Sequence, residues 1–96
     1  MDLNKYVIDG TISHKDQEKQ ITESFKKREF AIKSDEQFPQ EVLFEMTQGN
    51  CSLLDNYNFG DKVRVSFSLK GKKWTSNTGE DRYFNTLSAW KIEKLG

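Results

Sequence analysis

Lys62-Val63-Arg64-Val65-Ser66-Phe67-Ser68-Leu69-Lys70 is the stretch on which the reading of this chain turns. Val63, Val65, Phe67 and Leu69 fall on one side of an extended strand, and Arg64, Ser66, Ser68 and Lys70 fall on the other. A period of two is what a half-buried strand requires. Continued through Gly71-Lys72-Lys73, the same parity reaches Trp74 on the polar side. Trp74 therefore projects outward beside Lys70 and Lys72, unless a bulge at Gly71 turns it inward.

Beyond this strand, Thr75 to Asp81 is a polar loop containing Asn77 and Gly79, the composition of a hairpin connection. Tyr83 to Ile92 returns as the last strand. Its phase is broken, since Leu87 and Ala89 disagree with Trp90 and Ile92, and a bulge is expected near Ser88. Trp90 is expected in the core, as is Phe30.

Working back toward the N-terminus, Lys5 to Ser13 reads as a first strand with Tyr6, Ile8 and Ile12 on one face. Gly10 between them marks a bend or bulge. His14 to Ser24 has only Ile21 as an apolar residue and reads as a long mobile connection. Lys26 to Lys33 is a second strand, with Phe30 and Ile32 inward. Phe38-Pro39 opens a third, in which Val42, Phe44 and Met46 alternate with Leu43, Glu45 and Thr47; the only proline sits at a strand start, where its missing N–H costs little. From Asn50 to Tyr57 the alternation stops, and Leu53, Leu54 and Tyr57 share one side of a short helix. The order β-β-β-α-β-β, with the helix between strands three and four, is that of a five-stranded antiparallel OB barrel. All 96 residues form one such all-β domain.

The chain carries 15 basic and 15 acidic residues, unevenly placed. Ser34 to Asp61 holds Asp35, Glu36, Glu41, Glu45, Asp55 and Asp61 with no Lys or Arg. Lys62 to Gly79 holds Lys62, Arg64, Lys70, Lys72 and Lys73 with no acid. A local field of this kind steers a charged partner even where the total cancels. One cysteine, Cys51, excludes an internal disulfide and packs beside Leu53 and Leu54. Met1 to Tyr6 shows no basic stretch followed by an apolar run, and no apolar run is long enough for a membrane helix. A cytoplasmic location with no membrane partner is the expectation.

Catalysis fails by elimination. His14 and Cys51 cannot supply the roughly four N or S ligands of a zinc site. Gly71-Lys72 lacks the earlier Gly of a phosphate loop, where Ser66 stands, and the following Ser or Thr, where Lys73 stands. Glu80-Asp81 reads as a solvated loop pair. No catalytic, metal or cofactor motif remains, so the domain is expected to be a binding module and not an enzyme.

The binding signal is Lys70-Gly71-Lys72-Lys73-Trp74, with Arg82 and Tyr83 returning on the far side of the same hairpin. An exposed indole among cations suits stacking on an unpaired base while the cations hold phosphates. Lys26-Lys27-Arg28 is a second basic cluster at the start of strand two, within the region where OB barrels meet ligands. Lys26, Arg28, Lys70, Lys72, Lys73 and Arg82 are thus expected to form one positive stripe, with Glu41, Glu45 and Asp55 off it.

Gly60-Asp61-Lys62-Val63-Arg64-Val65 through Trp74, followed by Gly79 and Arg82-Tyr83, resembles the last hairpin of bacterial single-stranded DNA-binding proteins. Arg28-Glu29-Phe30, Phe38-Pro39 and Ala89-Trp90-Lys91 are similar to a family of short bacterial domains of unknown function thought to share that fold. Together the likeness covers about Phe25 to Glu93. It implies an OB fold and matches Trp74 to a base-stacking tryptophan. The acidic third strand, with Glu41 and Glu45, departs from it. The expected function is binding of single-stranded DNA, or RNA, with little sequence preference. The rivals are an OB module for protein interaction or homo-oligomer assembly, and an oligosaccharide-binding barrel.

Overall fold

The computed structural model describes residues 4–95. Six strands appear: β1 Tyr6–Lys15, β2 Lys19–Thr22, β3 Phe25–Ser34, β4 Glu41–Thr47, β5 Lys62–Thr75 and β6 Asp81–Lys94. A 3-10 helix, Gln48–Asn56, lies between β4 and β5. The sheet runs β1-β5-β6-β4-β3-β2, and β1 also pairs with β3, so five strands return on themselves. The seam between β4 and β6 is a single parallel bridge, Glu45 to Ser88. This is the OB arrangement anticipated from the element order, with two differences. A sixth strand, β2, is added, and the sheet is mixed rather than wholly antiparallel.

The added strand replaces the expected mobile connection. β1 continues to Lys15, and Lys19–Thr22 folds back on Phe25 to Lys27. All four β2 residues are exposed. Backbone pairing holds this hairpin without a buried side chain, so no apolar alternation announced it. Likewise, Phe38-Pro39 does not open a strand. Phe38 is 72% exposed in the turn before β4, which begins at Glu41.

β1 belongs to two pairings, Tyr6 to Thr11 against β5 and Gly10 to Lys15 against β3. The strand bends between them, with a register shift between Ile12 and His14. Gly10 sits at the crossing. A Cβ there would lie 2.5 Å from the Lys33 carbonyl oxygen, so only glycine admits this approach.

Inside the ring, Ile12, Phe30, Ile32, Phe44, Met46, Val63, Val65, Ala89 and Ile92 are buried. Aromatics fill what few aliphatics cannot: Phe30 stacks on Phe44, Phe44 meets Phe67 edge-on at 5.1 Å, and Tyr6 stacks on Phe67. The 3-10 helix closes one end with Leu54 and Cys51. Burial pushes the Cys51 thiol above its ordinary pKa, the opposite of what a nucleophile needs.

Trp90 is not core, contrary to the sequence expectation. On β6, Lys91 pairs with Ser66 and Ala89 with Phe67, leaving Trp90 as the extra residue of a bulge. The bulge lets Ala89 and Ile92 both point inward while the indole turns out, 42% exposed. The Lys5 ammonium lies 5.9 Å from its ring centroid. The bulge thus falls two positions beyond Ser88.

Candidate nucleic-acid interface

β5 and β6 are 14 residues each and pair from Val63–Lys94 to Thr75–Asp81. Only the half near Val63 and Val65 carries buried side chains. From Lys70 onward β5 is exposed, so the hairpin projects from the barrel and lengthens the molecule to 50 × 35 × 30 Å. Cross-strand neighbours in an antiparallel pair share a face. No register shift occurs at Gly71, and Lys70 faces Thr86, Lys72 faces Phe84, and Trp74 faces Arg82. These side chains therefore leave one side of the hairpin, the outer surface of the barrel.

Lys72, Trp74, Arg82 and Phe84 line a shallow depression of about 360 Å³. Trp74 is 50% and Phe84 55% exposed. Among the described residues, Lys70, Lys72 and Arg82 make no ion pair. Two rings with open faces and three uncommitted cations thus share one surface. Phe84 was missed by sequence reading, although its spacing of two from Arg82 could have placed it there.

Lys73 and Tyr83 belong to the opposite side. They face each other across the hairpin, and the Lys73 ammonium sits 3.5 Å from the Asp81 carboxylate. Tyr83 is 71% exposed there. The loop itself is ordered by Ser76, whose N–H donates to the Glu80 carbonyl and whose hydroxyl accepts from the Glu80 N–H.

Arg28 does not join the surface group. Its side chain is only 11% exposed. Nε donates to the Asp16 carbonyl at 2.8 Å, and Nη1 donates to the Cys51 carbonyl at 3.2 Å and to Asp55 Oδ1 at 2.7 Å. This guanidinium ties the β1–β2 turn and the 3-10 helix to β3, and its hydrogen bond holds the Asp55 carboxyl below its ordinary pKa. Lys26 has the same parity and meets Glu18 at 3.4 Å. Counting from buried Phe30 explains both: positions 26 and 28 share its side, whereas Lys27 and Glu29 face outward. Lys27 is the strand's outward cation, its ammonium 3.8 Å from Glu45 on β4. The single positive stripe accordingly resolves into the hairpin cations plus Lys27, and Glu45 lies among them rather than off them.

No group of three or more His, Cys, Asp or Glu placed to hold a metal ion occurs among the described residues. No helix among them is long and apolar enough to cross a membrane.

The backbone is similar to that of the mitochondrial single-stranded DNA-binding protein Rim1 of S. cerevisiae, with a TM-score of 0.70 and 20% identity over 99% of this chain and 97% of that one. It is similar also to the SSB of Plasmodium falciparum, solved with single-stranded DNA, with a TM-score of 0.67 and 19% identity over 100% and 97% of the two chains. At such identities the likeness is one of fold. No curated protein matches by sequence. Residues 7–93 match a family described as a domain of unknown function, DUF3127, and it is to this family, on an SSB-like OB fold, that the chain belongs.

Proposed function

We propose that this domain binds single-stranded DNA on the outer face of the β5–β6 hairpin and carries out no covalent chemistry. The observation that carries the reading is the placement of Trp74 and Phe84, half-exposed, between Lys70, Lys72 and Arg82 on one face. Base–aromatic stacking tolerates every base because each has a π-face, and cations alongside hold the backbone. The rings provide stacking positions, and the cations neutralise phosphates. Support for DNA over RNA comes from the two solved proteins that share this fold, both of them single-stranded DNA-binding proteins or SSBs.

The test is a titration of tryptophan fluorescence with an oligothymidine strand, in a Trp90→Phe background so that Trp74 alone reports. Saturable quenching is expected at low salt. Affinity should fall with a log–log salt slope of about −0.7 for each phosphate neutralised. Fluorescence unmoved by the strand at low salt would refute the reading.

A further inference from the structure

The outer surface carries more than the hairpin depression. A second depression shares Lys72 and Phe84 with it and reaches Lys70, Thr86 and Glu45. A third, of about 390 Å³, shares Glu45 and Thr86 with the second; Leu43, Phe44 and Leu87 contribute its apolar part, and Lys27, Glu29 and Asn85 line it too. The three form one continuous track from the hairpin tip to β3. Its far end lies where β4 and β6 meet at a single bridge, beside the buried Phe44.

The charge along this track shifts toward acid, from three cations at the hairpin to Glu29 and Glu45 with one cation, Lys27, at the far cleft. Glu29 and Glu45 stand directly opposite each other across β3 and β4, a like-charge pairing that weakens a sheet. Lys27 reaches Glu45 at 3.8 Å, while Glu29 makes no ion pair among the described residues. Both side chains are partly buried on this outward face, where core packing does not require a carboxylate. Two carboxylates against one cation disfavour phosphates here, so a strand that begins on the hairpin cations is expected to turn base edges toward Glu29 and Glu45. A carboxylate only accepts hydrogen bonds. It suits the exocyclic amine of cytosine, adenine or guanine, whereas thymine and uracil present a carbonyl oxygen in that position.

We propose that Glu29 and Glu45, in the apolar-sided cleft at the β4–β6 seam, form a base-reading subsite that favours amino-bearing bases over thymine and uracil. The inference rests on the reading of the hairpin as a single-strand site. Preference enters at this end of the track, while stacking on Trp74 and Phe84 stays indifferent to sequence.

The experiment compares oligocytidine and oligothymidine strands of equal length, at low salt and slightly alkaline pH, with the whole domain and its Glu29→Ala/Glu45→Ala variant. Glu45→Gln, which keeps the side-chain shape, guards against any folding defect in the double variant. The unsubstituted domain should favour oligocytidine by about tenfold, the discrimination given by one good carboxylate–amine contact. In the double variant oligothymidine binding should strengthen, because repulsion of phosphates is relieved, and the ratio should fall toward one. Glu45→Gln should lower the ratio in part. A ratio left unchanged by the substitutions overturns the base-reading subsite while leaving the hairpin site standing. No binding of either strand, by any of the three proteins, overturns the hairpin reading and this inference with it.

Discussion

Arg28→Ala separates a structural arginine from a ligand contact. The side chain is 11% exposed and donates to two backbone carbonyls, those of Asp16 and Cys51, as well as to Asp55. Truncation leaves both carbonyls without that donor in a part-buried setting. At about 1 kcal/mol for each lost bond, the carbonyls alone account for about 2 kcal/mol. The ion pair with Asp55, whose side chain is 68% exposed, adds little in water. In a domain of this size each kcal/mol lowers the melting temperature by about 4–8 °C, so the expected fall is about 8–16 °C. Melting followed by circular dichroism reads the loss, and strand affinity measured well below the transition should stay near that of the unsubstituted domain. An Arg28→Ala domain that melts normally but binds poorly would refute the reasoning and return Arg28 to the interface.

Three further outcomes are expected of the domain. Gly10→Ala should destabilise by about 1–3 kcal/mol, read as a lower melting temperature, because the new Cβ meets the Lys33 carbonyl at 2.5 Å and a backbone must yield. Lys72→Ala should flatten the log–log salt slope by about 0.7, the share of one phosphate, whereas Lys73→Ala should leave it near its original value, since Lys73 faces the other side and is paired with Asp81. Asp55 is held below its ordinary pKa chiefly by its hydrogen bond from Arg28, so its contribution to stability is present above the unfolded value and is lost as pH falls through the folded one. The melting difference between the domain and Asp55→Asn should therefore exist at neutral pH and close on acidification.

The strands that were legible in the sequence are those that bury one face. Val63 and Val65, Phe30 and Ile32, and Phe44 and Met46 alternate because every second side chain enters the ring, and each of them is buried. Lys19–Thr22 buries nothing, so its pairing left no mark on the pattern. Trp90 misled because hydrophobicity cannot show which residue a bulge expels; pairing of Lys91 with Ser66 and of Ala89 with Phe67 settles it. At the site, parity carried outward from Val63 placed Lys70, Lys72 and Trp74 on one face; Arg82 and Tyr83 were both expected beside them from the hairpin alone, and only Arg82 shares that face. The basic run Lys26-Lys27-Arg28 was read as charge without parity, and there the face each residue takes depends on its distance from Phe30. Nor could spacing reveal that Glu29 and Glu45, far apart in the chain, stand opposite each other on adjoining strands.

Trp74→Ala, assayed by anisotropy of a labelled oligothymidine strand and by melting of the same protein, bears most directly on the proposed function. The indole is half-exposed, so stability should change by no more than about 0.5 kcal/mol. Affinity should weaken by about 1–3 kcal/mol, the worth of one base–aromatic stack. Unchanged melting together with unchanged affinity would contradict single-strand binding at this hairpin.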